Sequence, residues 1–311
     1  MVANPDRAQH GSPPPTAAVC LGQEARGPAA PSGVSARGWR EALRRTFFRM
    51  VEKRLLGEAA AVAFYALLAL FPALAASVWL FGLLVDPASA AGRLRDVAAG
   101  ELPAGAAEVA GELFGRLAAR PNVGLGPGAG LAAAGAALWG GTAAAAQLFG
   151  GLNAAYGERE SRSLLRLYAT ALVFALCAGA FLIFALGAIA APAVLGAETG
   201  AGSGAGAALR LGRWPVLLVA VSAVLAAAYR YGPSRACPRW RWVSWGGALA
   251  ASAWLLGSVV FSAYAARVGG YDRIYGSLGA VVVLMTWAWL SSAAVLAGAA
   301  LNAELEREAA A

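Results

Sequence analysis

The sequence has little histidine, cysteine or charge for a chain of 311 residues: one histidine, three cysteines and 14% charged residues. A metal-dependent nuclease needs several His and carboxylate ligands around its ion, so a lone His10 argues against that class. Cys20, Cys177 and Cys237 have neither zinc nor redox spacing, and their odd number argues against a disulfide framework. A P-loop, a dinucleotide-binding glycine motif and a G-x-S-x-G elbow are also missing. We therefore expect no enzyme, no cofactor and no bound metal.

Apolar residues are abundant: they make up 59% of the chain, and the mean hydropathy is +0.60. A soluble domain does not have this composition. Several apolar runs are long enough, at ~1.5 Å per residue, to cross a hydrocarbon core of ~30 Å. The sequence predicts an all-α integral membrane protein with six transmembrane helices, at about 59–85, 129–152, 164–191, 214–231, 243–266 and 278–301.

The region before the first predicted span has two parts. Residues 1–36 are rich in Pro, Gly, Ala and Ser without an apolar run, which predicts a disordered tail. Residues 37–57 predict an amphipathic interfacial helix suited to anionic headgroups. Its apolar residues recur every four positions, at Trp39, Leu43, Phe47, Val51 and Leu55, and basic residues occupy its other faces, at Arg40, Arg44, Arg45, Arg49, Lys53 and Arg54. A nucleic-acid-binding helix is the less favoured alternative, because the apolar stripe leads directly into a span.

Loop charges predict the orientation, since short loops rich in Arg and Lys stay in the cytoplasm. The amphipathic helix, the loop after the second span and the Arg-rich loop 230–241 lie on one side, so both termini and a tail at 305–311 are predicted to be cytoplasmic. The net charge of +8 therefore does not require a nucleic-acid partner. Residues 86–128 predict two short helices outside the bilayer, and Pro192 is predicted to end the third span.

Small residues form stripes on the second and sixth predicted spans, for example Gly141 on the second. Because such stripes let helices approach closely in lipid, we expect these two spans to pack together. We also expect Asn153 and Asn302 to lie close together and to share one polar cluster with Tyr156, because an amide on an apolar helix must bond to a neighbour or to water.

The segments YDRIYGSLGAVVVLMTW and GAALNAE, with FYALLALFPAL after Glu58, resemble the YihY/BrkB family of multi-pass inner-membrane proteins, many of which carry the label ribonuclease BN. The resemblance extends from about Glu58 to Glu304, and Asn153, Tyr156, Glu160 and Arg162 match its pattern at the exit of the second span. It implies the fold and a bacterial inner-membrane location. Many relatives have an acidic residue where this chain has Ala300, so a mechanism that needs that carboxylate is in doubt here.

Polar residues at the ends of the predicted spans are the candidate functional groups: Asn153, Tyr156, Glu160, Arg162, Tyr271, Asp272, Tyr275, Asn302 and Glu304. Helix capping and interfacial anchoring are the structural alternatives for these residues. The leading functional hypothesis is a non-enzymatic protein that transports or binds an envelope-related solute or lipid. The alternative is a structural or assembly protein of the envelope, linked by the BrkB name to virulence or serum resistance. The sequence leaves the ligand and any homo-oligomer open.

Overall fold

The computed structural model describes residues 35–84, 127–199, 219–235, 240–267 and 279–308. In these ranges the regular structure is helical and contains no strand, which confirms the all-α class. The helices are α1 (Ala36–Glu52), α2 (Leu55–Leu84), α3 (Pro127–Tyr156), α4 (Leu164–Thr199), α5 (Val219–Tyr231), α6 (Trp240–Arg267) and α7 (Gly279–Glu308). Three predicted features fall outside the described residues: the tail before residue 35, the loop after α4 and the two helices within 86–128. Residues 127 and 128 are the exception, because they begin α3.

Within the described ranges, four helices are long and apolar enough to cross a membrane by length and composition. The qualifying segments are Leu55–Ser77 of α2, Gly128–Tyr156 of α3, Leu164–Leu182 of α4 and Val281–Glu308 of α7. Shorter apolar segments lie in α5 and α6, at Val219–Tyr231 and Gly246–Phe261. A helical membrane protein is therefore confirmed, whereas six spans remain a prediction.

One predicted helix end was wrong. Pro192 does not end the helix of the third predicted span, because α4 continues through it to Thr199; proline is tolerated inside membrane helices where neighbouring groups satisfy the freed carbonyl. Residues 305–308, predicted as part of the cytoplasmic tail, continue the last helix, which ends at Glu308. Leu305 is fully buried against α1, and this packing extends the helix.

The amphipathic helix is shorter than predicted and is separated from the first span. The side chain of Ser35 caps α1 by accepting a hydrogen bond from the backbone N–H of Gly38 at 3.2 Å. The helix ends at Glu52, and Arg54 then adopts a φ of 51° in the turn to α2. Leu55, predicted on the apolar stripe of this helix, instead begins α2 and is fully buried in the core.

Helix α7 is the centre of the bundle, since it packs against α1, α2, α3 and α6. Helix α3 lies between α2 and α4 and also contacts α7. The small residue Gly151 lies against Leu296 of α7, so α3 and α7 do approach closely there. Gly141 was predicted to face α7, but a Cβ at this position would point at Ala175 of α4, 3.4 Å away. Gly141 therefore packs on α4 and not on α7.

Candidate functional site

Polar side chains collect at one end of the bundle, where α1 meets the C-terminal ends of α3, α5 and α7. We call this cluster the polar end; it consists of Arg49, Asn153, Tyr156, Glu160, Arg162, Ser234, Arg235, Asn302, Glu304 and Glu306. Six of the nine predicted candidate residues belong to it. Tyr271, Asp272 and Tyr275 lie outside the described residues.

Asn153 joins α3 to the two loops that follow α3 and α5. Its Nδ2 donates to Glu160 Oε2 at 2.9 Å, and its Oδ1 accepts from the backbone N–H of Ser234 at 2.7 Å. The side chain is 5% exposed, and both functions of the amide are paired. A buried amide in this state fixes geometry, because either lost partner would leave a buried polar atom unsatisfied.

Asn302 has the same role between α7, α6 and α3. Its Oδ1 accepts from the backbone N–H of Gly246 at 2.8 Å, and its Nδ2 donates to the Tyr156 hydroxyl at 3.4 Å. The expected contact of Asn302 with Tyr156 is thus present. Asn153 does not bond to Asn302, but neighbouring residues connect the two amides. Asn153 accepts from the backbone N–H of Ser234, and the next residue, Arg235, places its guanidinium 4.4 Å from the centre of the Tyr156 ring. The hydroxyl of Tyr156 in turn accepts from Asn302.

Arg49 holds α1 onto the bundle. Its Nε lies 2.6 Å from Glu304 Oε1, and its Nη1 donates to the carbonyl of Ala155 at 2.7 Å. Ala155 is in the last turn of α3, where carbonyls have no partner within the helix and a cation is favourable. Arg307 approaches the same Glu304 oxygen at 3.3 Å. Arg49 was predicted on a basic face of an interfacial helix, but it turns into the bundle and is only 8% exposed.

Arg162 closes the end of α5. Its Nη2 donates to the carbonyl of Gly232 at 2.6 Å, and its Nη1 donates to that of Tyr231 at 3.2 Å. The same guanidinium binds Glu160, with Nε to Oε1 at 2.8 Å. The hydrogen bonds from Arg162, with that from Asn153, lower the pKa of Glu160 to about 2 and outweigh its partial burial.

Arg235 and Glu306 form a second pair between the loop after α5 and the end of α7. Arg235 Nη1 donates to Glu306 Oε1 at 3.1 Å, and Nη2 contacts Oε2. Burial opposes the charge on Arg235, but the hydrogen bonds and the charge of Glu306 outweigh it and raise the pKa of the guanidinium. This bidentate geometry is the one in which an arginine fixes a carboxylate most firmly.

The contacts of the polar end hold helix ends and loops together. Glu160, Glu304 and Glu306 each form an ion pair with an arginine, so each carboxylate already has a charged partner within the protein. Among the described residues, no group of three or more His, Cys, Asp or Glu is placed to hold a metal ion. Sequence reasoning missed Arg49, Ser234, Arg235 and Glu306; the only signal for Arg235 was its position in the Arg-rich loop, which was used for topology.

A groove between α6 and α7 forms a partly open cavity of about 270 Å³. Two tryptophan and serine pairs cross it: Trp254 Nε1 donates to Ser291 Oγ at 3.0 Å, and Trp287 Nε1 donates to Ser258 Oγ at 3.3 Å. The two indole rings pack edge to face, with their centroids 6.1 Å apart. The remaining lining residues are apolar or glycine: Met50, Ala253, Gly257, Leu290, Ala293, Ala294 and Ala297. The groove therefore runs along α7 towards α1, which contributes Met50.

Comparison with known proteins gives the chain a family. The family described as "Virulence factor BrkB" matches residues 46–311. A curated relative, "Putative ribonuclease-like protein YfkH" of Bacillus subtilis (strain 168), is 32% identical over 183 residues, which cover 55% of this chain and 64% of that protein. The chain thus matches less than two thirds of the length of this relative. No solved structure matches it. Because the family match covers most of the sequence, and the motifs around the first, second and last predicted spans agree with it, this protein belongs to the BrkB family.

Proposed function

We propose that this protein is a non-enzymatic, six-span protein of the bacterial inner membrane, with both termini in the cytoplasm, that binds an envelope lipid in the groove between α6 and α7. The cavity of about 270 Å³ in that groove carries the proposal. It is smaller than the ~300–1,000 Å³ of a typical site for a whole small molecule, and its size suits part of an acyl chain.

The lining of the groove favours an apolar ligand over a polar solute. The two indole N–H groups donate to Ser258 and Ser291, so these donors are already paired, and the serine hydroxyls are the polar groups of the lining that could still bond to a ligand. A polar solute would find few such groups, whereas an acyl chain would contact the ring faces and alanines without breaking any bond. For this reason the proposal is lipid binding and includes no transport.

A structural or assembly role in the envelope is the second candidate, and the polar end favours it. Its charged groups bind one another across α1, α3, α5 and α7 and hold the helix ends together. The family description "Virulence factor BrkB" agrees with a role in the cell envelope. If the role is structural, filling the groove should leave the contribution of the protein to the envelope unchanged. If the role is lipid binding, filling the groove should abolish that contribution.

Two glycines of α6 provide a matched test. Gly257 lines the groove and Gly247 does not, and a Cβ at either position would have open space. Gly257→Leu should fill the cavity and reduce the lipid that remains bound to the purified protein, measured by native mass spectrometry, while Gly247→Leu should retain it. Equal lipid retention in the two variants, with both still folded by thermal unfolding in detergent, would contradict the groove as a binding site.

The name of the relative YfkH raises ribonuclease activity as a further question. We propose that this chain lacks it, because a metal-dependent nuclease needs several carboxylate and imidazole ligands, and the whole sequence has only His10 to offer as imidazole. The purified protein should not cleave transfer RNA precursors above a mock preparation. Cleavage that a chelator abolishes would overturn this part of the proposal.

A further inference from the structure

Helix α1 has two faces with opposite environments. One face packs on the bundle through Ala42, Thr46 and Arg49, all of which are buried. The other face presents large apolar side chains: Leu43, Phe47, Phe48 and Val51 are 48%, 66%, 57% and 60% exposed. Side chains of this size are rarely exposed together in water, so a contiguous set of them marks a surface that meets lipid or a partner.

The orientation of the exposed face is fixed by the bundle. The ion pair of Arg49 with Glu304 and its bond to the carbonyl of Ala155 hold one side of α1 inward. Ala42 packs with Leu301 and Leu305 on that same side. The opposite side, with Phe47 and its neighbours, must therefore point away from the protein.

The place of α1 in the chain puts this face at the membrane surface. Only Lys53 and Arg54 separate α1 from α2, whose segment Leu55–Ser77 is apolar enough to span a membrane. Two residues reach only ~7 Å, so the end of α1 lies where α2 enters the bilayer. A helix held at this level with a large apolar face has the character of an interfacial helix.

The charges around the face are complementary to anionic headgroups. Between Ser35 and Arg54 the chain has seven basic residues and two acidic ones. Glu41 binds Arg44 and Arg45, Glu52 binds Lys53, and Glu304 binds Arg49. The exposed cations that remain, without a carboxylate partner among the described residues, are Arg37, Arg40 and Arg54. Arg37 and Arg40 precede the apolar residues and Arg54 follows them, and basic residues at the ends of an apolar face attract anionic lipid.

We infer that α1 lies in the interface of the bilayer, with Leu43, Phe47, Phe48 and Val51 among the acyl chains, and that Arg37, Arg40 and Arg54 select anionic phospholipid around it. The surface is separate from the groove between α6 and α7. It binds the bilayer whether or not the groove holds a lipid.

Spin labelling of the intact protein tests the position of the helix. With Cys20, Cys177 and Cys237 replaced by serine, single nitroxides are placed at Phe47, Val51 and Arg45 in nanodiscs containing phosphatidylglycerol. Arg45 is exposed, and it lies two residues from Phe47 and so on the other side of the helix. Labels at 47 and 51 should collide with oxygen and be shielded from a water-soluble nickel complex, and the label at 45 should behave in the opposite way. Equal access of the nickel complex to 47 and 45 would overturn the inference, because it would place the apolar face in water.

Lipid competition tests the charge selection. The preference of the protein for spin-labelled phosphatidylglycerol over phosphatidylcholine should fall in the triple variant Arg37→Gln, Arg40→Gln, Arg54→Gln, by up to about fivefold for each arginine. The matched variant with three lysines should keep the preference, because it retains the charge. An unchanged preference in the glutamine variant would refute selection of anionic lipid by these arginines.

Discussion

Arg49 of α1 and Glu304 of α7 form a buried ion pair, Nε to Oε1 at 2.6 Å, that joins the first helix of the described chain to the last. The two side chains are only 9% and 5% exposed. Removing one partner of such a pair leaves the other charge buried without compensation, which costs far more than the net stabilisation by the pair itself. The pair is therefore the contact on which the docking of α1 most depends.

We expect Glu304→Gln to lower the free energy of unfolding by about 3–5 kcal/mol, because Arg49 would keep its charge and lose its main partner. Thermal or denaturant unfolding of the protein in detergent would measure the change. Glu308→Gln is the matched control, because the contact of Glu308 with Arg45 is 3.5 Å long and partly exposed; the loss there should stay below about 1 kcal/mol. Similar losses in the two variants would show that burial of the pair has no special importance.

Gly246 and Gly247 are neighbours on α6 with different surroundings. A Cβ on Gly246 would overlap the Asn302 side chain, which accepts a hydrogen bond from the Gly246 N–H, while a Cβ on Gly247 would meet no atom. We expect Gly246→Ala to cost about 1–3 kcal/mol through overpacking and loss of that bond. Gly247→Ala should be neutral or stabilise by up to about 1 kcal/mol. Unfolding in detergent compares the two, and an unaffected Gly246→Ala would mean that α6 can move away from α7 without cost.

Glu160 makes the stability of the polar end depend on pH in the acidic range. Its folded-state pKa is lowered from the ordinary 4.5 to about 2, chiefly by its hydrogen bonds with Arg162. A lowered carboxyl pKa stabilises the fold above the unfolded-state value, and this stabilisation is lost as the pH falls from about 4.5 through about 2. The stability of Glu160→Gln should therefore fall less over this range than that of the parent protein. Glu158→Gln, at an exposed neighbouring position, should follow the parent.

The helices were predictable because long uncharged apolar runs have few alternatives in a membrane protein. The amides at 153 and 302 were also identifiable, since a polar group on an apolar helix must find a partner. Their partners were not all predictable. Ser234 and Glu306 come from a loop and from a helix end, and no periodicity in the sequence marks which loop folds back onto which helix.

The packed face of α1 was the least predictable feature. The sequence predicted that the apolar stripe with Phe47 and Val51 meets the membrane surface, and both residues are exposed, but nothing in it indicated that Ala42 and Arg49 face the bundle. In lipid the apolar stripe and the packed face need not coincide, because hydrocarbon solvates apolar side chains as well as a core does. Gly141 illustrates the same point: a small residue marks a close approach without saying which neighbour approaches.

Ser161 and Ser234 provide a test of both the polar end and the topology. Ser161 follows α3 and Ser234 follows α5, and their hydroxyl oxygens are 2.7 Å apart. With the three native cysteines removed, cysteines at 161 and 234 should form a disulfide on mild oxidation, which a shift on a denaturing gel would report. Before oxidation, both should react with a membrane-impermeant maleimide only from the cytoplasmic side.

The matched control pairs position 161 with Ser258 of α6. Ser258 lies beyond Gly246, whose N–H bonds to Asn302 in the polar end, by about 18 Å along α6 at a rise of ~1.5 Å per residue, so a cysteine there should not reach position 161. A disulfide in both pairs would indicate nonspecific oxidation. Labelling of 161 and 234 from opposite sides would contradict the structure and the six-span topology together, because both place the ends of α3 and α5 on one side of the membrane. Labelling of both from outside would agree with the packing of the helices but would reverse the proposed orientation of the protein in the membrane.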